Sequence, residues 1–212
     1  MRDYILILMY LFVVTRYSIS QTNKNIYPLI KIDLYLEMKK YKEAFQEIKN
    51  IDFNKIKNDE RPYVFNKVGF IYYKINEYNK ALEFYFKALE YNPKIPYIYN
   101  NIGAIYYALK KYKEAKKYYL KALSIMSNYA KVLVNLAVVD FYLKNYNESY
   151  NWFKKALKCD KDYVKKRFKK KKAMDKLKEL IKEHPEDKEL KRILKWAQKY
   201  QNKDIYELKL FF

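Results

Sequence analysis

The sequence repeats itself at a period of 34 residues between Pro62 and Lys161, and this period constrains the fold more than any other feature. Four columns of residues keep the spacing: Gly69, Gly103 and Ala137; Tyr78, Tyr112 and Tyr146; Ala81, Ala115 and Ser149; and Ala88, Ala122 and Ala156. A helix–turn–helix unit of this length cannot bury its apolar face alone, so consecutive copies must stack. The period therefore predicts an all-α fold of stacked helical hairpins.

The composition agrees with a helical chain that has a substantial core. Of the 212 residues, 50% are hydrophobic and 19% are aromatic, whereas only 2 are glycine and 5 are proline. So few chain breakers leave little room for a fold made of many short strands and turns. We therefore expect helices throughout rather than a β fold or a disordered chain.

Three regular units divide the period into pairs of helices. The units are residues 62–95, 96–129 and 130–163. We expect first helices at about 63–75, 97–109 and 131–143, and second helices at about 78–91, 112–125 and 146–159. Pro62 and Pro96 suit the start of a first helix, where the missing N–H costs nothing, and Pro93 stops a second helix.

A divergent first repeat is expected at residues 25–61. Tyr41-Lys42-Glu43-Ala44 reproduces Tyr112-Lys113-Glu114-Ala115, but Ala44 precedes Ala81 by 37 residues. The three additional residues are assigned to the polar connection before Pro62. The first helix of this repeat is predicted from Asn25 to Met38, with Ile30 and Leu34 facing inward and Ile26 as a further candidate for the same face.

These residues resemble tetratricopeptide repeats (TPRs), whose pattern is Trp-x2-Leu-Gly-x2-Tyr followed by Ala, Phe, Ala and Pro. The first regular unit matches at Phe65, Val68, Gly69, Tyr72, Ala81, Tyr85, Ala88 and Pro93. The second matches at Tyr99, Ile102, Gly103, Tyr106, Ala115, Tyr119 and Ala122, and the third at Leu133, Leu136, Ala137, Ser149, Phe153 and Ala156. The third unit departs from the pattern at Asp140 and Lys161. The resemblance implies a right-handed α-solenoid that serves as a non-catalytic protein–protein interaction module, a scaffold or adaptor.

In this family the first helices line a concave groove that grips a peptide or a partner's helix. By position, the groove residues here are Tyr63, Asn66, Phe70, Tyr73, Tyr97, Asn100, Asn101, Tyr107, Lys131 and Asn135. Asn side chains can pair with the backbone of an extended ligand, and Tyr supplies contact area at low entropic cost. The alternative is that some of these aromatic rings only pack between neighbouring first helices. The family's clamp for a terminal carboxylate is not expected, because only Asn101 and Lys131 match it.

The sequence offers no catalytic, cofactor or metal site, and we expect no enzyme and no cofactor. The only histidine is His184, where a helix-capping role is expected. The only cysteine is Cys159, which is expected to be a small buried residue rather than a reactive thiol. Gly69 and Gly103 are expected to let the two helices of a hairpin approach closely, so that Gly103→Leu would cost about 1–3 kcal/mol by overpacking.

Residues 1–20 are expected to be a signal peptide or a short membrane anchor. The apolar run from Tyr4 to Val14 is short for a membrane-spanning helix, and Ser18 and Ser20 suit cleavage before Gln21. An uncleaved anchor and a first buried helix are the alternatives. The expected location is therefore exported (periplasmic or secreted) or membrane-associated, with the cytoplasm as the alternative.

Residues 164–212 are expected to form basic C-terminal capping helices, at about 163–182 and 186–201. The basic residues cluster at Lys165, Lys166, Arg167, Lys169, Lys170, Lys171 and Lys172. This cluster is either a solvated helix face or a surface for an anionic membrane, with nucleic acid the less favoured partner. The net charge of +21 also has two readings, attraction to anionic partners or a composition set by an A+T-rich genome.

Overall fold

The computed structural model describes the backbone of residues 26–168 and of three isolated residues, Pro185, Lys188 and Lys191. Side chains are described for residues 28–164 and for the same three residues. Residues 26–168 are helical, without a strand, as the 34-residue period predicts. The helices are α1 (Ile26–Glu37), α2 (Tyr41–Ile48), α3 (Arg61–Lys74), α4 (Tyr78–Tyr91), α5 (Pro96–Ala108), α6 (Tyr112–Ile125), α7 (Ala130–Tyr142), α8 (Tyr146–Cys159) and α9 (Lys161–Phe168). A short 3-10 turn, Phe53–Lys55, lies between α2 and α3.

The chain divides into two compact units, Met1–Pro93 and Lys94–Phe212, here called unit 1 and unit 2. In unit 1 the hairpins are α1–α2 and α3–α4, and α2 packs against α3. In unit 2 the hairpins are α5–α6 and α7–α8, α6 packs against α7, and α9 packs on α7 and α8. Each unit therefore contains two stacked helix–turn–helix repeats, and the predicted all-α fold of TPR-like repeats is confirmed.

Each turn between the two helices of a hairpin has one residue with a left-handed backbone conformation at the same position. In the turn between α5 and α6, the Lys110 N–H donates to Tyr107 O at 3.0 Å and the Lys111 N–H donates to Tyr106 O at 2.9 Å. These two bonds form a Schellman cap, which satisfies the last carbonyls of the first helix. The equivalent residues all have positive φ, and they are Lys39, Asn76, Lys110 and Lys144.

The helix bounds follow the sequence pattern closely. The second helices α4, α6 and α8 begin and end at the predicted residues. The first helices α3, α5 and α7 begin one or two residues earlier and end one residue earlier than predicted. Pro62 lies in the first turn of α3, Pro96 opens α5, and α4 ends two residues before Pro93.

The glycine columns bring an aromatic ring against the first helix of the hairpin. A Cβ atom on Gly69 would lie 2.9 Å from Tyr85 Cδ1, and a Cβ atom on Gly103 would lie 2.6 Å from Tyr119 Cε1. Both rings are buried. Because ordinary side-chain contacts start at 3.4 Å, these two positions fit only a glycine unless the ring moves.

The inward face of α1 differs from the prediction. Ile32 is fully buried and Pro28 is buried as well, whereas Ile30 and Leu34 are only partly buried. The contact face runs through Leu29, Ile32 and Leu36, which follow helical spacing and pack in the core of unit 1. The predicted side of α1 was therefore wrong, and the side chain of Ile26 lies outside the described residues.

The predicted burial of Cys159 is also wrong. Cys159 is exposed, and its Sγ lies 3.1 Å from Asn128 O. Its equivalents at the 34-residue spacing, Tyr91 and Ile125, are exposed as well. This column lies beyond the buried face of the second helix, which Ala156 marks in α8.

Several predictions fall outside the described residues. They concern the N-terminal segment 1–20, His184, the C-terminal capping helices beyond Phe168, and the side chains of the basic cluster from Lys165 to Lys172. The described part of the predicted basic helix is α9, Lys161–Phe168. Among the helices that the structure describes, none is long and apolar enough to cross a membrane.

Candidate functional site

In unit 1 the predicted groove residues lie on α3 beside α1. Lys67, only 9% exposed, reaches across to α1, where its Nζ donates to Asp33 Oδ2 at 2.6 Å. The same Nζ lies 4.1 Å from the centre of the Tyr63 ring, a cation–π contact. The ion pair therefore fixes two neighbouring first helices, with Tyr63 exposed above it and Asn66 half-buried on the same helix.

The remaining groove aromatics of unit 1 pack against each other near the hairpin turns. The Phe70 ring contacts Tyr41 and Tyr73, with each pair of ring centres 6.5 Å apart. Lys74 Nζ lies 5.1 Å from the Phe70 ring centre and 5.6 Å from that of Tyr73. Phe70 thus links neighbouring repeats through Tyr41, as the packing alternative anticipates, whereas Tyr73 packs within its own repeat on Phe70 and Tyr78.

In unit 2 the predicted residues lie on two adjacent first helices. Lys131 and Asn135 are on α7, and the α5 residues are Tyr97, Asn100, Asn101 and Tyr107. Asn135 Nδ2 donates to Asn100 Oδ1 at 2.9 Å, and Asn100 Nδ2 donates to Asn101 Oδ1 at 3.3 Å. Three asparagines from two repeats therefore form one polar chain.

Exposure separates the roles of these asparagines. Asn100 is 1% exposed, so its amide is a buried link between α5 and α7. Asn101 and Asn135 are half-buried, and Tyr97 and Lys131 are exposed. The surface that a ligand can reach in unit 2 is therefore formed by Tyr97, Asn101, Lys131 and Asn135.

The Tyr107 ring belongs to an aromatic cluster of unit 2. It lies 5.8 Å from both the Tyr112 and Tyr142 ring centres, and the last two rings stack at 4.8 Å. Phe141 contacts Tyr142 edge to face at 6.3 Å. Tyr107 consequently packs between repeats, as Phe70 does in unit 1.

The sequence reasoning missed a buried polar network in unit 2. Asp140 is 0% exposed, yet it accepts three hydrogen bonds. The donors are Lys116 Nζ at 2.6 Å, Asn145 Nδ2 at 3.0 Å and Trp152 Nε1 at 2.9 Å. Lys116 comes from α6, so this ion pair joins the two repeats of unit 2.

Two residues of the last regular repeat differ from their equivalents in the earlier repeats, and together they indicate this network in the sequence. In the earlier repeats the equivalent columns hold stacked rings, Tyr72 on Phe84 at 5.5 Å and Tyr106 on Tyr118 at 5.2 Å. In the last regular repeat the first ring of the pair becomes Asp140 and the second becomes Trp152. An indole N–H can donate to a buried carboxylate, so the two changes compensate each other.

Two tyrosines of unit 2 have shifted pKa values. Burial raises the pKa of Tyr118, and the neighbouring Tyr106 raises it further. Burial also raises the pKa of Tyr129, with Tyr163 as the second cause. Tyr129 packs against the core of unit 2 and Tyr118 stacks on Tyr106, and neither is one of the predicted groove residues, so these shifts bear on stability. Within the described residues, no group of three His, Cys, Asp or Glu side chains could hold a metal ion.

Comparison with protein families agrees with this architecture. One family model, described as tetratricopeptide repeat, matches residues 94–162, and a second, described as TPR repeat, matches residues 69–110. Residues 69–162 are tetratricopeptide repeats. The resemblance to tetratricopeptide repeats that the sequence shows is therefore confirmed for these residues. A comparison with curated protein sequences gives no match.

Solved structures share the TPR fold at low sequence identity. MamA is 18% identical with a TM-score of 0.59, covering 71% of this chain and 86% of MamA. Pseudomonas aeruginosa pilF is 19% identical with a TM-score of 0.58, covering 86% of this chain and 80% of pilF. YrrB, described as a TPR protein with an unusual peptide-binding site, is 18% identical with a TM-score of 0.54, covering 63% of this chain and 67% of YrrB. At these identities the likeness shows the fold.

Proposed function

We propose that this protein is a non-catalytic interaction module, a scaffold or adaptor, which binds an extended peptide or partner segment on the first helices of unit 2. One observation carries the proposal, the hydrogen bond of 2.9 Å from Asn135 to Asn100. It fixes the orientation of a half-buried amide beside the exposed side chains of Tyr97 and Lys131.

The chemistry of the amide supports an extended ligand. A side-chain amide has one carbonyl oxygen and two N–H donors. In the described part of the structure, the bond to Asn100 uses one N–H of Asn135, so its carbonyl and second N–H remain for a ligand. An extended peptide presents a carbonyl and an N–H in the same way, and Tyr97 adds contact area.

The test begins with a random-peptide display library selected on the purified full-length protein. The affinity of a selected peptide is then measured by titration calorimetry for wild type, Tyr97→Ala and Asn135→Ala. Because buried anchor residues of an interface typically contribute about 1–3 kcal/mol, we expect each variant to weaken binding by about tenfold or more.

Matched control variants are available on the second helices. Phe86 and Tyr97 are both 38% exposed, so Phe86→Ala removes a comparable aromatic surface elsewhere. Asn151, exposed on α8, is the control for Asn135. Wild-type affinity in Tyr97→Ala and Asn135→Ala, with unchanged helicity, would refute the proposed surface.

The apolar run at residues 4–14 supports a further proposal, that the module acts outside the cytoplasm. N-terminal sequencing of the protein from its native cell tests this. A mature start at Gln21 in an exported fraction is the expected result. An intact Met1 in the soluble cytosolic fraction contradicts it.

A further inference from the structure

The outer face of α6 has a line of lysines four residues apart. Lys113, Lys117 and Lys121, here called the lysine face, lie opposite the buried side of the helix, which Ala115 and Ala122 mark. Together with Lys116, Leu120 and Ser124 they line an open depression of about 520 Å³. All three lysines and Leu120 are exposed.

The equivalent helix of unit 1 differs in its charge pattern. The outer face of α4 alternates Lys80, Glu83, Lys87 and Glu90, and Lys87 forms an ion pair of 2.7 Å with Glu83. Like charges at i,i+4 destabilise a helix, and α4 balances them. The difference between the two helices therefore concerns α6 specifically, and the general basicity of the chain does not explain it.

The positive charges of the lysine face are available to an external partner. Lys116 is committed to Asp140, whereas none of the described carboxylates forms an ion pair with Lys113, Lys117 or Lys121. Lys121 Nζ lies 5.5 Å from the Tyr118 ring centre, so its stem is held against an aromatic surface. Three cations in one i,i+4 row, flanked by the single carboxylate of Glu114 in the first turn, are complementary to a row of anions.

The spacing of the lysines specifies the form of the anion. Four helical residues rise about 6 Å. Alternate residues of an extended chain, which point to the same side, are about 6.6 Å apart. We propose that the lysine face binds an extended acidic segment of a protein partner, with carboxylates at alternate positions and Leu120 packed against the segment.

A membrane fits this face less well than a peptide. Interfacial helices insert an apolar face between lipid headgroups. The apolar face of α6, which includes Tyr119, is buried inside unit 2. A nucleic acid would also be attracted to lysines, and the experiment includes it as a competing ligand.

The experiment measures binding of a fluorescent peptide with the core Glu-Ala-Glu-Ala-Glu to the full chain by anisotropy. The test variant is Lys113→Gln/Lys117→Gln/Lys121→Gln. Since each exposed ion pair contributes modestly to binding, losing three should weaken it by about tenfold. A peptide of the same composition with consecutive glutamates should bind the wild type less tightly.

The control variant removes the same charge from unit 1 at exposed positions, as Lys42→Gln/Lys49→Gln/Lys80→Gln. It should bind within about twofold of the wild type, because long-range charge effects are screened at physiological salt. Lys117→Glu alone is a second test, and it should weaken binding more than Lys80→Glu does.

Four outcomes would overturn the proposal. The first is an equal loss of affinity in the two triple variants, and the second is equal affinity of the wild type for the two peptides. The third is a loss of affinity that occurs only when the basic residues at 165–172 are neutralised. The fourth is a test variant that loses more affinity for an oligonucleotide or an anionic vesicle than for the peptide.

Discussion

Gly103→Ala tests the close approach of helix and ring in unit 2. Alanine is the better helix former by about 1 kcal/mol, so an unobstructed site would be stabilised. Here the new Cβ atom would lie 2.6 Å from Tyr119 Cε1 and 2.7 Å from Cδ1. Ordinary contact begins at 3.4 Å, so the ring must retreat by about 0.8 Å.

The magnitude follows from the packing around Tyr119. The ring is buried among Ala122, Val132 and Leu136, so its retreat displaces neighbours. Overpacking of this kind costs about 1–3 kcal/mol, against the helix gain of about 1 kcal/mol. We therefore expect Gly103→Ala to lower the free energy of unfolding by about 1–2 kcal/mol.

Urea unfolding, followed by circular dichroism at 222 nm, measures this loss. Gly69→Ala is the parallel variant in unit 1, where the new Cβ atom would lie 2.9 Å from the Tyr85 ring and 3.1 Å from the backbone oxygen of Ala81. It should also lower the free energy of unfolding. In a Tyr119→Leu background, Gly103→Ala should instead stabilise the protein, which isolates the contact in a double-mutant cycle.

Stabilisation by Gly103→Ala in the wild-type background would refute the reasoning. It would mean that the ring moves at no cost and that Gly103 is not required for packing. An equal loss from Gly103→Ala in the Tyr119→Leu background would also contradict it, because the ring contact is absent there.

Three further predictions concern other residues. Lys116→Met should destabilise unit 2 by about 3–5 kcal/mol in urea unfolding, since it leaves Asp140 buried without its cation, while Lys117→Met should change stability by less than about 0.5 kcal/mol. Lys110→Gly should raise the unfolding midpoint by relieving a positive φ, worth about 1 kcal/mol. Folding raises the pKa of Tyr129, so the stabilising contribution of its neutral hydroxyl is complete below pH about 10 and is lost as the pH rises through the pKa of the folded state. In a pH series, Tyr129→Phe should therefore reduce the loss of stability at alkaline pH.

Much of the fold could be predicted because the period and the local signals agree. The bounds of α4, α6 and α8 follow from the tyrosine that starts each helix and from its spacing to the buried alanines. The side of α1 that faces the core could not be predicted in the same way. Apolar residues lie all around this helix, including Leu29, Ile30, Ile32 and Leu34, so helical spacing does not select one face.

The candidate site was predictable at the level of position and not of environment. Column positions placed Asn100 and Asn135 on neighbouring first helices, where the structure has them. Their mutual hydrogen bond depends on side-chain orientation across 35 residues of sequence, which no local pattern contains. The pairing of Lys116 with Asp140 is of the same kind, since it joins residues 24 positions apart on different repeats.

The buried ion pair of Lys116 and Asp140 also sets the order of the repeats. Similar repeats in tandem could in principle exchange neighbours, because each offers nearly the same apolar faces. At the 34-residue spacing, the position of Lys116 is Leu82 one repeat earlier. Placing the repeat of Asp140 after the repeat of Leu82 would bury a carboxylate against a leucine. Arrangements of that kind are therefore disfavoured, and the ion pair specifies that the repeat of Asp140 packs on the repeat of Lys116.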